Sequence, residues 1–482
     1  MTALAALYAL ATALLVVQGL RLLGLAVGRL ATSPEAPAPE PLAWPRVCVQ
    51  LPVYNEPEVV ERAVEALAAL DYPAMELQVL DDSTDATSER AARAVARVQA
   101  SGVAAVHLRR DSREGFKAGA LAAGMEQTDA DLFAIFDADF RPAPDTLRRL
   151  VAPLVADPSL AFAQARWAHL NRERSALTRA QAALLDVHFA VEQASRQRLG
   201  RFLPFNGTAG VWRREAIEAA GGWRGTTLAE DLDLSLRAWM GGARGRFVEP
   251  MAVPAELPEA LSAWRKQQAR WAEGMSAVTR LHARRLLSTR RQPLIVRLRA
   301  LLAISAPLAY PALLAMLLLH PVLAAAHALG SGPGEAFFTA LGVGWLGLLG
   351  AVSAHVVAQQ AVGARGRRGA RLWRRIVDVG LGLAAPVSLA LTGTRAVARG
   401  LSGRRTAFAR TPKGGVSEAT ATDWGETALA LYALGGAVVL AWLGAWVALA
   451  FQIIFAGTLA ASAWGESRAG TLPLSTPIPA QR

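Results

Sequence analysis

The heptapeptide AIFDADF, Ala134 to Phe140, places two carboxylates one residue apart behind an apolar run. A strand ending in a polar turn accounts for the pattern without chemistry. A metal site accounts for it with chemistry: Asp137 and Asp139 can hold a Mg²⁺ or Mn²⁺ ion that keeps several waters and also takes a diphosphate. Such an ion neutralises charge developing on a leaving phosphate. Two further stretches are acidic at strand-like ends, LPVYNE (Leu51 to Glu56) and LDDSTD (Leu80 to Asp85). Asp81 and Asp82 can accept hydrogen bonds from a nucleobase and ribose, while Asp82, Ser83 and Thr84 are equally good helix caps. In TLAEDLDLS (Thr227 to Ser235), Glu230 and Asp231 open a helical pattern. There they either complement the helix dipole or supply a base for an attacking hydroxyl. In KQQARW (Lys266 to Trp271), Gln267, Arg270 and Trp271 recur at i, i+3 and i+4 and so share one side of a helix. An amide, a guanidinium and an indole suit a sugar face and a diphosphate, and also suit plain packing. Neither a P-loop nor a dinucleotide-binding glycine pattern occurs.

Positioning these groups requires a sheet. Apolar runs at 47–51, 77–80, 103–108, 132–136 and 160–165 alternate with helical patterns around 56–70, 85–99, 116–126 and 144–155. The alternation predicts an α/β domain over 46–275 with a mixed, mainly parallel sheet. The acidic stretches then fall at its carboxyl edge, where ligands bind.

The rest of the chain reads as membrane. Of 482 residues, 53% are hydrophobic, concentrated at 2–29 and in blocks over 298–464. The first block lacks a leading basic residue and exceeds a signal-peptide core, so it predicts a retained helix over 1–30. A Pro-rich linker, 31–45, follows. An interfacial helix is expected at 276–297 and transmembrane helices over 298–466, about five spans in all, with an interfacial segment at 374–398. The net charge of +12 is concentrated: Arg365 to Lys413 holds twelve Lys and Arg and one acid, Asp378. Beside apolar spans, such clusters mark cytoplasmic loops and contact with the lipid bilayer rather than nucleic acid, which is discounted. The α/β domain and a tail at 467–482 are accordingly expected to be cytoplasmic. Cys48, the single cysteine, excludes an intrachain disulfide.

The order of these elements resembles the family 2 glycosyltransferases, and within them cellulose synthase and the plant cellulose-synthase-like mannan and glucan synthases. QVLDDSTD, GFKAGAL, AIFDADF, AFAQARW, FNGTAGVWR, AGGW and QQARW carry the resemblance. It implies a GT-A fold and an inverting, processive transfer from GDP-mannose or UDP-glucose to a growing β-linked polysaccharide. By the same resemblance, Tyr54, Glu56, Asp81, Asp82, Lys117, Asp137, Gln267 and Arg270 bind the nucleotide sugar. Asp137 and Asp139 hold the metal, and Asp231 with Glu230 supplies the base. Phe205, Asn206, Gly207, Thr208 and Trp271 hold the acceptor. Phe408, Thr411 and Lys413 of FARTPK, in 399–425, match a gating loop but depart from it at Arg410 and Pro412. Transfer of one sugar to a lipid, as by ceramide glucosyltransferase, stays open as an alternative, as does a transporter or nucleotide-binding scaffold. His355 is read as a packed or interfacial histidine. Accessory export proteins are left open.

Overall fold

A computed structural model describes residues 1–363, 368–404 and 423–469. In chain order the elements are α1 (Thr2–Ala31), β1 (Val47–Val53), α2 (Val60–Ala68), β2 (Met75–Asp81), α3 (Thr87–Ala100), β3 (Ala105–Arg109), α4 (Phe116–Met125), β4 (Leu132–Ile135), α5 (Thr146–Ala156) and β5 (Leu160–His169). After these come α6 (Ala176–Asp186), a π-helical turn (Val187–Gln193), α7 (Ala194–Arg198), β6 (Gly210–Arg213), α8 (Arg214–Ala219), α9 (Glu230–Met240) and β7 (Arg244–Ala255). The remainder is helical: α10 (Leu261–Ser288), α11 (Leu294–Ile304), α12 (Ala309–Ala328), α13 (Glu335–Ala340), α14 (Gly344–Val362), α15 (Arg368–Ser388), α16 (Ala390–Ser402), α17 (Trp424–Trp442) and α18 (Trp446–Ala469).

The strands form one sheet in the order β3-β2-β1-β4-β6-β5-β7. β1 pairs in parallel with both β2 and β4, whereas β6 runs antiparallel to its neighbours β4 and β5. β4 is a continuous apolar run and β1 is apolar except for Gln50, whose amide donates to Gln78 Oε1 at 3.2 Å, because helices cover both faces of the sheet. α2 buries Val60, Ala63, Val64 and Leu67 against it, a stripe at the helical period. All five strands expected from sequence are present, and β6 and β7 are additional.

Among the described residues, four helices are long and apolar enough to cross a membrane, or five if one bent pair is a single span. That pair, Leu372–Ser388 and Ala390–Ser402, bends by 53° inside the segment expected to be interfacial. The expected boundary at residue 275 falls inside α10, which runs unbroken from the α/β domain to Ser288. α1 and α14 touch through glycines: a Cβ on Gly19 would overlap the Gly347 backbone, and one on Gly350 would overlap that of Gly19. Small residues let membrane helices approach to backbone contact. Gly350→Leu is therefore expected to destabilise the bundle by about 1–3 kcal/mol or more. Its melting temperature in detergent, measured against Gly435→Leu at a position open to space, checks this.

Candidate active site

At the carboxyl edge of the sheet lies a cavity of about 510 Å³ that continues to the membrane helices, where Ile304, Tyr310 and Pro386 line it. Tyr54, Glu56, Asp82, Lys117, Asp137, Asp139, Phe205, Asn206, Gly207, Glu230, Asp231, Gln267, Arg270 and Trp271 all line this one space. Asp81 and Thr208 do not. Phe408, Thr411 and Lys413 lie outside the described residues.

The loops after β1 and β2 are stitched together by Asn55, which adopts a positive φ of 53°. Its backbone N–H donates to Ser83 Oγ at 2.9 Å, and its Oδ1 accepts from the Thr84 N–H at 2.8 Å. The expected helix cap is thus not formed by Asp82, Ser83 or Thr84, which are drawn into the inter-loop bonding and side-chain pairing; α3 begins at Thr87. The two aspartates part company here. Asp82 faces the cavity and takes two bonds from Arg110, 2.9 Å from Nε and 2.5 Å from the other nitrogen. Asp81 is 1% exposed and turns away to His107 at 2.9 Å and the Ser83 N–H at 2.8 Å. Burial would raise its carboxyl, but the bonds from His107, Ser88 and Ser83 outweigh burial and hold it at about 2. Its direct contacts hold the strand end and its loop together. Arg113, which no pattern in the sequence singled out, lies 3.3 Å over the Tyr54 ring at the same mouth of the cavity.

Deeper in, Lys117 joins two segments far apart in sequence. Its Nζ donates to Asp137 Oδ1 at 2.6 Å and to the Gly207 carbonyl at 2.8 Å. Burial opposes the lysine charge, yet Asp137, Glu230 and Asp231 around it more than offset burial and raise its amine above the ordinary range. The Asp137 N–H donates to Thr208 Oγ1 at 2.9 Å, so buried Thr208 positions the aspartate from behind. Glu230 and Asp231 open α9, where the free N–H groups of the first turn favour carboxylates. Both line the cavity and are half-buried. Burial, then the neighbouring Glu230, pushes Asp231 up to about 7; burial also raises Glu230, against the pull of Lys117. Gly207, at φ 79°, lies close enough that a Cβ there would be 3.1 Å from an Asp231 carboxylate oxygen. Arg270 faces Asp137, Glu230, Asp139 and Glu56 together, although burial lowers it.

On the membrane side the walls become aromatic. Phe140 meets Trp167 edge-to-face, Trp167 lies tilted against Phe189, and Trp167 meets Trp271 at 6.3 Å between ring centroids. Phe205 is almost wholly buried against Phe162 and Trp212. His188, Glu192 and Arg196 line this half as well and were not anticipated from sequence. Burial works against the Glu192 carboxylate, but Arg21 from α1 and Arg196 hold it well below the usual range.

No three His, Cys, Asp or Glu side chains cluster to hold a metal ion among the described residues. Two cavity-lining carboxylates, Asp137 and Asp139, nevertheless fit a hard cation that completes its shell with water and phosphate oxygens.

Residues 45–274 match the family model described as "Glycosyltransferase like family 2". This segment belongs to the family 2 glycosyltransferases. Among curated relatives, a probable glucomannan 4-beta-mannosyltransferase of Arabidopsis thaliana is 41% identical over 254 residues, covering 52% of this chain and 46% of that protein. One from Oryza sativa subsp. japonica is 45% identical over 237 residues, covering 48% of this chain and 40% of its own. Glucomannan 4-beta-mannosyltransferase 1 of Cyamopsis tetragonoloba is 40% identical over 266 residues, 54% of this chain and 51% of its own. The chain thus spans about half the length of these relatives. The mannosyltransferase PcManGT from Pyrobaculum calidifontis, solved with GDP-Man and Mn2+, superposes with a TM-score of 0.53 at 23% identity. That match covers 73% of this chain and 98% of the archaeal one, and bears on the fold alone: the glycosyltransferase domain is of the GT-A type.

Proposed function

We propose that the protein is a membrane-embedded inverting hexosyltransferase that extends a β-1,4-linked mannan-type polysaccharide from GDP-mannose. The observation that carries this reading is one cavity lined by Asp82, Lys117, Asp137, Asp139, Asp231 and Arg270 and also by the aromatic residues Trp167, Phe189 and Trp271, which continues to the membrane helices. The mannosyl group named in the relatives favours GDP-mannose over UDP-glucose.

In this reading the hydroxyl of the acceptor's terminal sugar attacks the anomeric carbon of the donor. The new C–O bond forms as the bond from that carbon to the diphosphate oxygen breaks on the opposite face, which inverts the configuration. Asp231 takes the hydroxyl proton, and its raised carboxyl is matched to a base working near neutrality. Lys117 and Arg270 present positive charge to the departing diphosphate, Asp82 and Tyr54 border the nucleoside, and Trp271 floors the acceptor sugar. Asp137 and Asp139 would hold a divalent cation, which supplies electrostatic stabilisation of the leaving group. The catalytic domain is read as cytoplasmic from the basic loops, and the growing chain as passing along the aromatic half toward the helices.

The test uses protein in lipid nanodiscs supplied with GDP-mannose or UDP-glucose, with Mg²⁺, Mn²⁺ or chelator. GDP release with a mannanase-sensitive product ladder is expected, falling by about 100-fold or more under chelator. UDP release with a cellulase-sensitive product would replace the donor assignment, and a single glycolipid would replace the polymer.

A further inference from the structure

The membrane-side half of the cavity contains a local backbone irregularity with a definite effect on side chains. Between Val187 and Gln193 the helix widens, and the Ala194 N–H bonds the carbonyl of Phe189, five residues back. In an ordinary α-helix, His188 and Gln193 would point about 140° apart. The i→i+5 turn brings them onto one face, and both reach Asn206. Gln193 Nε2 donates to Asn206 Oδ1 at 2.6 Å, and Gln164 Nε2 donates to the same oxygen at 3.0 Å. Two donors on that oxygen identify the other end of the amide as its NH₂ group, which lies 2.9 Å from His188 Nε2. His188 Nε2 therefore accepts, and its proton sits on Nδ1. Burial pushes His188 down to about 4, so the ring stays neutral around neutral pH.

That Nδ1–H has no protein partner among the described residues, and it is not sealed from solvent. His188 lines the same cavity as Trp167 and Trp271, and its ring meets Phe189 edge-on at 4.8 Å between centroids. A neutral donor of set direction beside aromatic faces does not suit a diphosphate, which calls for positive charge. It suits an uncharged polyhydroxylated ligand that stacks on rings and offers oxygens at its edge. Chain continuity adds the location, because Asn206 is followed by Gly207, on which a Cβ would lie 3.1 Å from an Asp231 carboxylate oxygen. We propose that His188 Nδ1–H binds an oxygen of an acceptor sugar, with the Gln164–Asn206–Gln193 amides and the π turn holding the imidazole in that tautomer. The proposal deepens the hexosyl-transfer reading and rests on it for the identity of the acceptor.

The experiment measures oligosaccharide binding without any donor. Mannohexaose and cellohexaose are titrated into the full-length protein in nanodiscs by tryptophan fluorescence, and GDP binding is measured in parallel. His188→Leu should weaken hexasaccharide binding about tenfold, the worth of one neutral hydrogen bond, and leave GDP affinity within about twofold. His188→Gln, whose amide can accept from Asn206 and donate onward, should recover most of the loss. The proposal is overturned by a wild type that binds neither oligosaccharide, by a Leu variant equal to wild type, or by GDP affinity falling in step. A folded Gln variant no better than Leu overturns it too. Hexasaccharide binding with this mutant pattern, but without turnover of GDP-mannose, would overturn the donor assignment and leave His188 in place.

Discussion

Asp231→Asn lowers hexosyl transfer by about 10²–10⁴-fold and leaves nucleotide binding within about twofold, the expected result of deleting a general base. The asparagine keeps the shape and still accepts the bond from the Leu232 N–H, at 2.8 Å in the parent, but cannot take a proton. Because the parent carboxyl is raised to about 7, wild-type activity should climb with pH through neutrality as the base ionises. The stability effect has the opposite sign. A raised carboxyl binds more protons folded than unfolded, so its contribution is full below its ordinary value of about 4 and is lost as pH rises toward 7. Asp231→Asn should therefore melt higher than wild type at pH 8 while having lost turnover, a stability–activity trade-off at one atom. Normal turnover in the Asn variant would remove Asp231 from the base role.

Lys117→Met ranks second, with an expected loss of about 10²–10³-fold, the usual cost of deleting one preorganised donor to developing charge. The ammonium binds Asp137 and the Gly207 carbonyl, so its removal loosens both sides of the site. It also lowers the raised carboxyls of Glu230 and Asp231. Without it the pH at which half-maximal rate is reached must move upward. Lys117→Arg should restore little, since a planar guanidinium cannot replace a point charge seated between two oxygens. A pH–rate profile with an unchanged midpoint in Lys117→Met would show that its charge does not act on the base.

What the sequence disclosed and what it hid have physical causes. β1 and β4 were legible because strands buried on both faces are almost wholly apolar, Gln50 of β1 being the one polar side chain in the pair, and the carboxylates after β4 stand out against that run. β7 was not: its residues Arg244–Ala255 include Pro250 and Pro254, which argue against a strand, and Glu249 interrupts the face on which Phe247, Met251, Val253 and Ala255 are buried. β6 has only four residues, too few for an alternation to register. The pair LDDSTD looked like one functional unit, yet successive side chains at a strand end diverge, which separates Asp81 from Asp82. The π turn left no mark, because an i→i+5 bond depends on the backbone and has no residue signature. Gln267, Arg270 and Trp271 were legible for the converse reason, since helical period alone places them together.

The antiparallel pairing of β4 with β6 has a bearing on how such a protein can change over time. Ile135 pairs with Gly210, so the exit of one strand and the entrance of the other share an edge of the sheet. Asp137 and Thr208, 71 residues apart along the chain, are thereby neighbours. Their spacing is written in strand register and not in the intervening polypeptide, which contributes β5, α6 and α7. The helical part of that stretch can change, and with it the fit to a different acceptor, while β5 stays paired with β6 and the donor-side carboxylate and the acceptor-side loop keep their separation. A lineage could thus inherit the reaction and revise its product by altering one cassette.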